Sequence, residues 1–228
     1  MSQSKTNGLN HIAFIMDGNG RWAKKRHKKR EYGHIRGAEV FRKIVRHCAD
    51  LGIDAVTVYA FSTENWKRPK SEVNAIMSLC RKYIDEALAS DAEASVVFLG
   101  DKSAFDAKMR SEMEKLEAKT AHYRKKICIA FNYGGHAEIV DAVNALIAGG
   151  KTHITEEDIT GAIYSGIVPP PDIIVRTGGE YRLSNFLLWQ SAYSELFFTE
   201  TLWPDFTSDE LDGIIEEFGK RKRRFGGV

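Results

Sequence analysis

The 228-residue chain predicts a single α/β domain, residues 1–228, built on a central, mostly parallel sheet of about six strands flanked by helices. Three observations carry this. Short apolar runs alternate with amphipathic stretches from end to end. The stretches between them are about ten residues or longer, too long for hairpins and long enough for crossover helices. No internal repeat and no Pro- or Ser-rich linker divides the chain. A hydrophobic share of 43% against 28% charged residues is that of a folded chain, not a disordered one.

In order, residues 1–9 read as a flexible terminus and residues 11–16 as a short buried strand. Residues 36–51 read as a helix, because Phe41, Ile44, Val45 and Cys48 share one face and Gly52 stops it. Residues 55–61 form a second strand. Residues 71–89 form a long helix with a wide apolar stripe through Val73, Ile76, Met77, Cys80, Tyr83, Ile84 and Ala87. A third strand spans 95–99; Ser103 with Asp106 resembles the cap of a helix carried on by Phe105, Met109, Met113 and Leu116. Residues 127–131 give a fourth strand and 137–147 a helix, and Thr155 caps a further short helix. After the break at Pro169-Pro170-Pro171, residues 172–176 form a fifth strand and 195–198 a sixth; Thr207 with Glu210 forms a capping box for the last helix.

Parallel α/β sheets bind ligands outside the carboxyl ends of their strands, and polar clusters follow several of these strands. After the first comes Asp17-Gly18-Asn19-Gly20-Arg21-Trp22. Asp-Gly and Asn-Gly suit a hairpin, but the basic run that follows is no partner strand. The glycines let the backbone approach a ligand and aim its N–H groups at an anion. A carboxylate beside them suits a phosphate bridged by a divalent cation. Gly33-His34-Ile35-Arg36-Gly37 opens a helix, a position that favours anions. Ser62, Thr63, Glu64, Asn65, Trp66, Lys67 and Arg68 follow the second strand, and Asn132-Tyr133-Gly134-Gly135 the fourth. After the fifth, Arg176, Arg182 and Ser184 flank Gly178-Gly179, which suits a second polyanion. The constellation predicts a phosphate-rich site, with Asp17 and Glu195 as its candidate metal ligands.

HIAFIMDGNGRWA, GHIRGAE, FSTENWKRP, FNYGG, IVRTGGEYRLSNFLLWQ, and SELFF with WPDF together resemble the cis-prenyltransferases, in the family order and from His11 to the closing RRFGG. The aspartate-rich DDxxD signature of the trans-acting enzymes is absent. The resemblance implies condensation of an allylic diphosphate, typically farnesyl diphosphate, with successive isopentenyl diphosphates, creating cis double bonds. It implies Mg2+ at Asp17 and Glu195, and an allylic diphosphate held by Gly18, Asn19, Gly20, Arg21, Arg30 and His34. It implies isopentenyl diphosphate on Arg176, Arg182 and Ser184, with Leu183 among the substrate contacts. Trp22, Ser62, Thr63, Glu64, Trp66 and Arg68 position the reacting groups, and Glu72 matches a family position beyond that loop. Asn65 is the position assigned as proton acceptor; because a neutral amide is a poor base, a relay through water, phosphate or His34 is the reading here. An apolar tunnel for the growing chain is expected along the helix of residues 71–89 and the strand of residues 127–131, with Ala87 a candidate for stopping it by size. Arg224-Phe225-Gly226 resembles an RxG motif that completes a neighbouring subunit's site, implying a homodimer.

Charge and cysteines bound the setting. Net charge is only +2, yet residues 21–30 and 220–224 supply 12 of the 33 Lys and Arg, leaving the remainder at −10. With no groove-reading motif and an acidic body, nucleic acid is excluded as a partner. The basic runs have two readings, solvated charge or a peripheral contact with anionic membrane lipid. Cys48, Cys80 and Cys128 show no metal-ligand spacing and lie in apolar stretches, as free thiols in a reducing cytoplasm do. Neither a signal peptide nor a run of about 18–20 apolar residues is present, so a cytoplasmic location is expected. The rival chemistries are a magnesium-dependent phosphohydrolase, which generally needs a second Asp where this chain has Asn19, and a regulatory subunit of the same fold that has lost catalysis.

Overall fold

The computed structural model describes residues 8–91 and 93–221. Six strands form one sheet in the order β3-β4-β2-β1-β5-β6: β1 (His11–Ile15), β2 (Ala55–Ser62), β3 (Ser95–Leu99), β4 (Lys126–Tyr133), β5 (Ile173–Arg176) and β6 (Glu195–Phe198). Every pairing is parallel, so the expectation of a mostly parallel sheet of about six strands holds in its strictest form. The helices are α1 (Asn19–Lys25), α2 (Arg30–Asp50), α3 (Lys70–Ala89), α4 (Ala107–Thr120), α5 (Gly135–Ala148), α6 (Glu156–Ala162) and α7 (Ser208–Lys220).

Strand alternation places two cores on the two faces of the sheet. Ile12 and Phe14 of β1, Val56 and Val58 of β2, and Ile173 and Val175 of β5 face Val40, Ile44 and Cys48 of α2 and Leu211, Ile215 and Phe218 of α7. Farther along that face, Ile76 and Ile84 of α3 and Met109, Met113 and Leu116 of α4 meet Phe98 and Phe131. Ala13, Ile174, Cys128 and Ala130 point to the other face, under Tyr133, Phe186 and Leu187. Leu9, assigned to the terminal segment by sequence, is packed in the first core; residues 1–7 lie outside the described residues.

Several boundaries depart from the sequence reading. The second helix begins at Arg30, so Gly33-His34-Ile35-Arg36-Gly37 lies inside α2 and does not open it. Its first turns lack an apolar stripe; they are fixed by Gly33 and Gly37, against which the backbone and side chain of Asn19 pack. Segment 19–25, to which the sequence reading assigns no element, is the helix α1. Asp106, without Ser103, caps α4, its side chain accepting from Met109 N–H. Thr207 caps α7 through Glu210 N–H, but the Glu210 carboxylate accepts from the Thr199 hydroxyl, so the box is not reciprocal.

The sheet order contains one reversal of direction. From β1 the chain moves to β2 on one side, and only after β4 crosses to β5 on the other. The crevice beyond the carboxyl ends of β1 and β5 is therefore the switch point where an α/β sheet offers a ligand site.

Candidate active site

Asp17 and Arg176 meet in that crevice. Ile15 pairs with Arg176 in the β1–β5 register, which brings Asp17, two residues past the strand, beside the arginine. Arg176 Nη2 donates to Asp17 Oδ2 at 3.0 Å, and Nη1 donates to Ser184 Oγ at 2.8 Å and to the Arg182 carbonyl. Its buried Nε has no partner. The Asp17 carbonyl is pinned from two sides, accepting from Thr177 Oγ1 and Trp203 N–H. Arg21 adds an ion pair at 3.2 Å to Asp17 Oδ1, with room made by Gly178, where a side chain would collide with the guanidinium.

Gly18 starts α1 at φ 108°, a conformation natural to glycine, and a Cβ there would strike Leu202. Gly20 lies flat against the Arg30 guanidinium. Asn19 donates from Nδ2 to the Met16 carbonyl while its buried Oδ1 is unpartnered. Glycines on both sides thus let the 17–20 backbone sit between α2 and the 202–203 segment at distances no side chain would permit.

Opposite stands a buried carboxylate. Glu72, in the first turn of α3, accepts from Arg30 Nε at 2.8 Å and Arg68 Nη1 at 3.1 Å, and lies 3.2 Å from His34 Nε2. Burial alone would raise its pKa; the hydrogen bonds from Arg30 and His34 and the charges of Arg30 and Arg68 overcome that and hold it below the usual carboxylate range. His34 moves down because burial outweighs Glu72, so its imidazole is neutral at pH 7. Glu72 therefore gathers Arg30, His34 and Arg68 at one edge of the crevice. A carboxylate cannot itself hold a diphosphate, so its place is behind the cations.

Asn65 lies in the 3-10 turn Thr63–Lys67 with its Oδ1 accepting from Ser62 N–H at 3.1 Å. That leaves its NH2 end for the cleft, a donor and not a proton acceptor. Glu64 accepts from Asn185 Nδ2, and hydrogen bonds from the turn and Asn185 outweigh burial in lowering its pKa.

Behind the crevice, between α2 and α3, opens a cavity of about 1020 Å³. Asp17, Gly18, Asn19, Gly20, Arg30 and His34 line its polar mouth together with Ser62, Glu64, Asn65, Arg68, Arg176 and Ser184. Its depth is apolar: Phe41 of α2, Ile76, Cys80, Tyr83, Ile84 and Ala87 of α3, and Ile127, Ile129 and Phe131 of β4. Val73 and Met77 of the same stripe pack in the core.

Other expected site residues stand elsewhere. Trp22 is buried and donates from Nε1 to Asp205 at 2.6 Å, so it braces α1 against the Trp203–Asp205 turn. Trp66 donates to Asn132 Oδ1 and packs on Phe61 and Phe105. Thr63 sits against Gly134, and Leu183 packs with the core under the opposite face of the sheet. Arg182 is 61% exposed and paired with Glu180. Glu195 is not brought to Asp17 within one chain. It begins β6, three residues and about 10 Å from the carboxyl edge, and accepts from Arg221 at 2.7 Å. Arg224-Phe225-Gly226 lies outside the described residues.

Sequence reasoning missed Asn185. In a left-handed conformation at φ 65°, it ties three loops together: Oδ1 accepts from His136 N–H, its carbonyl from Gly135 N–H, and Nδ2 donates to Glu64. Asn tolerates that conformation, the one signal its sequence position offered.

Residues 15–226 match the family model described as "Putative undecaprenyl diphosphate synthase". The chain is 51% identical over 221 residues to an isoprenyl transferase of Fusobacterium nucleatum, covering 96% of each, and 49% identical over 225 residues to that of Thermotoga maritima, covering 96% and 97%. Among solved structures it resembles a probable undecaprenyl diphosphate synthase of Campylobacter jejuni, with 35% identity, TM-score 0.81 and coverage of 96% and 98%. It also resembles lavandulyl diphosphate synthase of Lavandula x intermedia in complex with dimethylallyl diphosphate, with 30% identity, TM-score 0.88 and coverage of 96% and 99%. A cationic switch-point crevice opening into an apolar cavity and the near-complete coverage of these relatives agree: the chain belongs to the undecaprenyl diphosphate synthase family of cis-prenyltransferases.

Proposed function

We propose that this enzyme condenses an allylic diphosphate, farnesyl diphosphate being the expected primer, with successive isopentenyl diphosphates to give a polyprenyl diphosphate of the undecaprenyl class. The observation that carries the reading is continuity: one cavity has guanidinium groups, glycine backbone and Asp17 at its mouth and an aliphatic interior. A substrate with an anionic head and a growing hydrocarbon tail matches both ends.

The allylic diphosphate rests on the Gly18–Gly20 backbone, Arg21, Arg30 and His34. Isopentenyl diphosphate takes Arg176 and Ser184, whose geometry is already set, and Arg182 after release from Glu180. The unpaired N–H of Arg176 Nε fits a phosphate oxygen as its missing acceptor. Among the described residues no three His, Cys, Asp or Glu side chains converge as a closed metal cage. Mg2+ commonly binds through one or two carboxylates plus substrate phosphates, and Asp17 supplies that carboxylate here. When bound, Mg2+ neutralises charge on the diphosphate. As the allylic carbon–oxygen bond breaks, negative charge grows on the leaving group, and the arginines stabilise it preferentially in the transition state. Confining both substrates removes the entropy cost of their encounter. The new carbon–carbon bond forms and a proton leaves the isopentenyl unit for a phosphate oxygen oriented by the Asn65 amide. Both Asp17 oxygens are paired with guanidinium groups, which lowers the carboxylate's nucleophilicity and disfavours the role a phosphohydrolase needs.

A homodimer is the proposed assembly. Strand β6 is a sheet edge with Leu196, Tyr181 and Tyr193 exposed around it, a surface a second copy would cover. Light scattering at twice the chain mass supports this, and a monomer refutes it. For the reaction, purified protein is incubated with farnesyl diphosphate, labelled isopentenyl diphosphate and Mg2+, and the extracted lipids are chromatographed. Labelled polyprenyl products that vanish with EDTA or Asp17→Ala are expected; absence of product from all allylic primers would sink the proposal.

A further inference from the structure

The corner joining α1 to α2 carries charge that the site does not use. Of the seven basic residues in 21–30, Arg21 pairs with Asp17, Arg26 with Asp205 and Arg30 with Glu72. Lys24, Lys25, Lys28 and Lys29 are exposed and have no ion-pair or hydrogen-bond partner for their side chains among the described residues. Four positive charges within six positions repel one another, and no ion pair among the described residues offsets that repulsion. Beside them two apolar side chains are turned out of the protein. Tyr32 is 48% and Ile35 47% exposed; three residues apart on a helix, they are surface neighbours. Tyr32 is held there by its ring, which stacks on Trp22 at 5.9 Å and 20°, while the Arg26 guanidinium covers Trp22 at 3.9 Å.

The same turns of α2 face two ways. Arg30 and His34 line the cavity mouth, and Tyr32 and Ile35 project on the outer side. A lysine cluster flanking a tyrosine and an isoleucine has the composition of a bilayer-interface contact: the cations meet anionic headgroups, and the ring and the alkyl chain enter the headgroup boundary. We propose that this corner, Lys24, Lys25, Lys28 and Lys29 with Tyr32 and Ile35, docks the enzyme on an anionic bilayer, with the mouth of the cavity at the membrane surface. It rests on the proposed reaction for its purpose, since a long prenyl product is insoluble in water. Its test needs no turnover.

The full chain is sedimented with vesicles of phosphatidylcholine containing about 30% phosphatidylglycerol and, separately, with pure phosphatidylcholine. Binding to the first only, weakening with salt, is expected. The quadruple variant K24Q/K25Q/K28Q/K29Q should lose partitioning on the order of several-hundred-fold and melt no lower than the wild type, because these side chains make no ion pair or hydrogen bond among the described residues. A control removing Lys82, Lys108, Lys115 and Lys151, all outside the two basic runs, should bind like the wild type. Ile35→Ser should abolish the fraction that stays bound at high salt. Absence of binding to anionic vesicles, equal binding by the quadruple variant, an equal loss in the control, or wild-type behaviour of Ile35→Ser would each overturn the proposal. In detergent, the quadruple variant should still incorporate label, which separates failure of docking from failure of the reaction.

Discussion

Glu72→Gln is the substitution whose consequences the geometry defines best. The Glu72 side chain is 4% exposed and faces Arg30, Arg68 and His34 within 2.8–3.2 Å. Glutamine keeps the shape and one acceptor oxygen, but it removes the charge and aims an NH2 group at a guanidinium. Hydrogen bonds to charged groups contribute about 1.5–3 kcal/mol each. The two arginines are partly exposed and recover hydration, which leaves a net loss of roughly 2–4 kcal/mol. For a chain of this size, that lowers Tm by about 5–15 °C. Its pH dependence has a definite sign. The folded pKa of Glu72 is lowered, so its contribution is present above the unfolded value near ~4.3 and is lost as pH falls through the folded value. Thermal melts of both proteins should differ fully at pH 7, and the gap should narrow steadily as pH falls below about 4.3. Equal melting at pH 7 would refute the counter-ion role. A gap unchanged into acid would show that packing, not charge, is at stake. With its cations released, the variant should also bind inorganic pyrophosphate more weakly.

Other expectations are sharp enough to fail. Ala87→Leu intrudes on the cavity, and chromatography should show shorter products; unchanged length would exclude this position as a stop. Arg176→Lys loses the fork that joins Asp17, Ser184 and the Arg182 carbonyl, so label incorporation should fall by about 100-fold or more; activity within a few-fold of wild type would contradict the assigned geometry. Gly37→Ala would place a Cβ 2.1 Å from Asn19 Oδ1 and 2.9 Å from Trp203, displacing the 17–20 loop, and the KM for the allylic substrate should rise more than stability falls. His11 is buried, with Nδ1 donating to the Pro169 carbonyl and Nε2 accepting from the Thr57 hydroxyl, and burial pushes its pKa down to about 4. Because the unfolded chain binds the proton more readily, stability should decline as pH falls from about 6.5 to 4, by roughly 3 kcal/mol; His11→Gln should flatten that window in denaturant titrations.

Much of the molecule was legible in the sequence because one physical signal dominated it. The parallel strands are buried on both faces and read as short apolar runs bounded by turns, so β3 and β6 coincide with their sequence expectations and the others differ by a residue or two. The carboxyl-edge rule then put Asp17, Arg176 and the Ser62–Arg68 turn in one crevice. What escaped depended on contacts distant in sequence. Helix α1 has no apolar period; it exists because Trp22 is anchored on Asp205, 183 positions away. The start of α2 is set by Gly33 and Gly37 receiving Asn19, not by its own hydrophobic face. Trp22 and Trp66, which the family resemblance implies position the reacting groups, each have a protein partner for the indole N–H that no local sequence pattern announces. Glu195 follows the fifth strand in sequence but opens the sixth, at the wrong end of the sheet to join Asp17 in one chain. Within the WPDF segment, Trp203 is a core residue, 1% exposed and donating from its indole to the Gly37 carbonyl.

The central claim is that a diphosphate sits on the 17–20 loop while its hydrocarbon tail fills the space between α2 and α3. A crystal structure with Mg2+ and a non-cleavable allylic thiodiphosphate tests it directly. The account predicts the diphosphate against Gly18, Gly20, Arg21 and Arg30, with the tail running past Ile76 and Cys80 toward Ala87. A diphosphate bound elsewhere, or a tail that leaves this cavity empty, would contradict it.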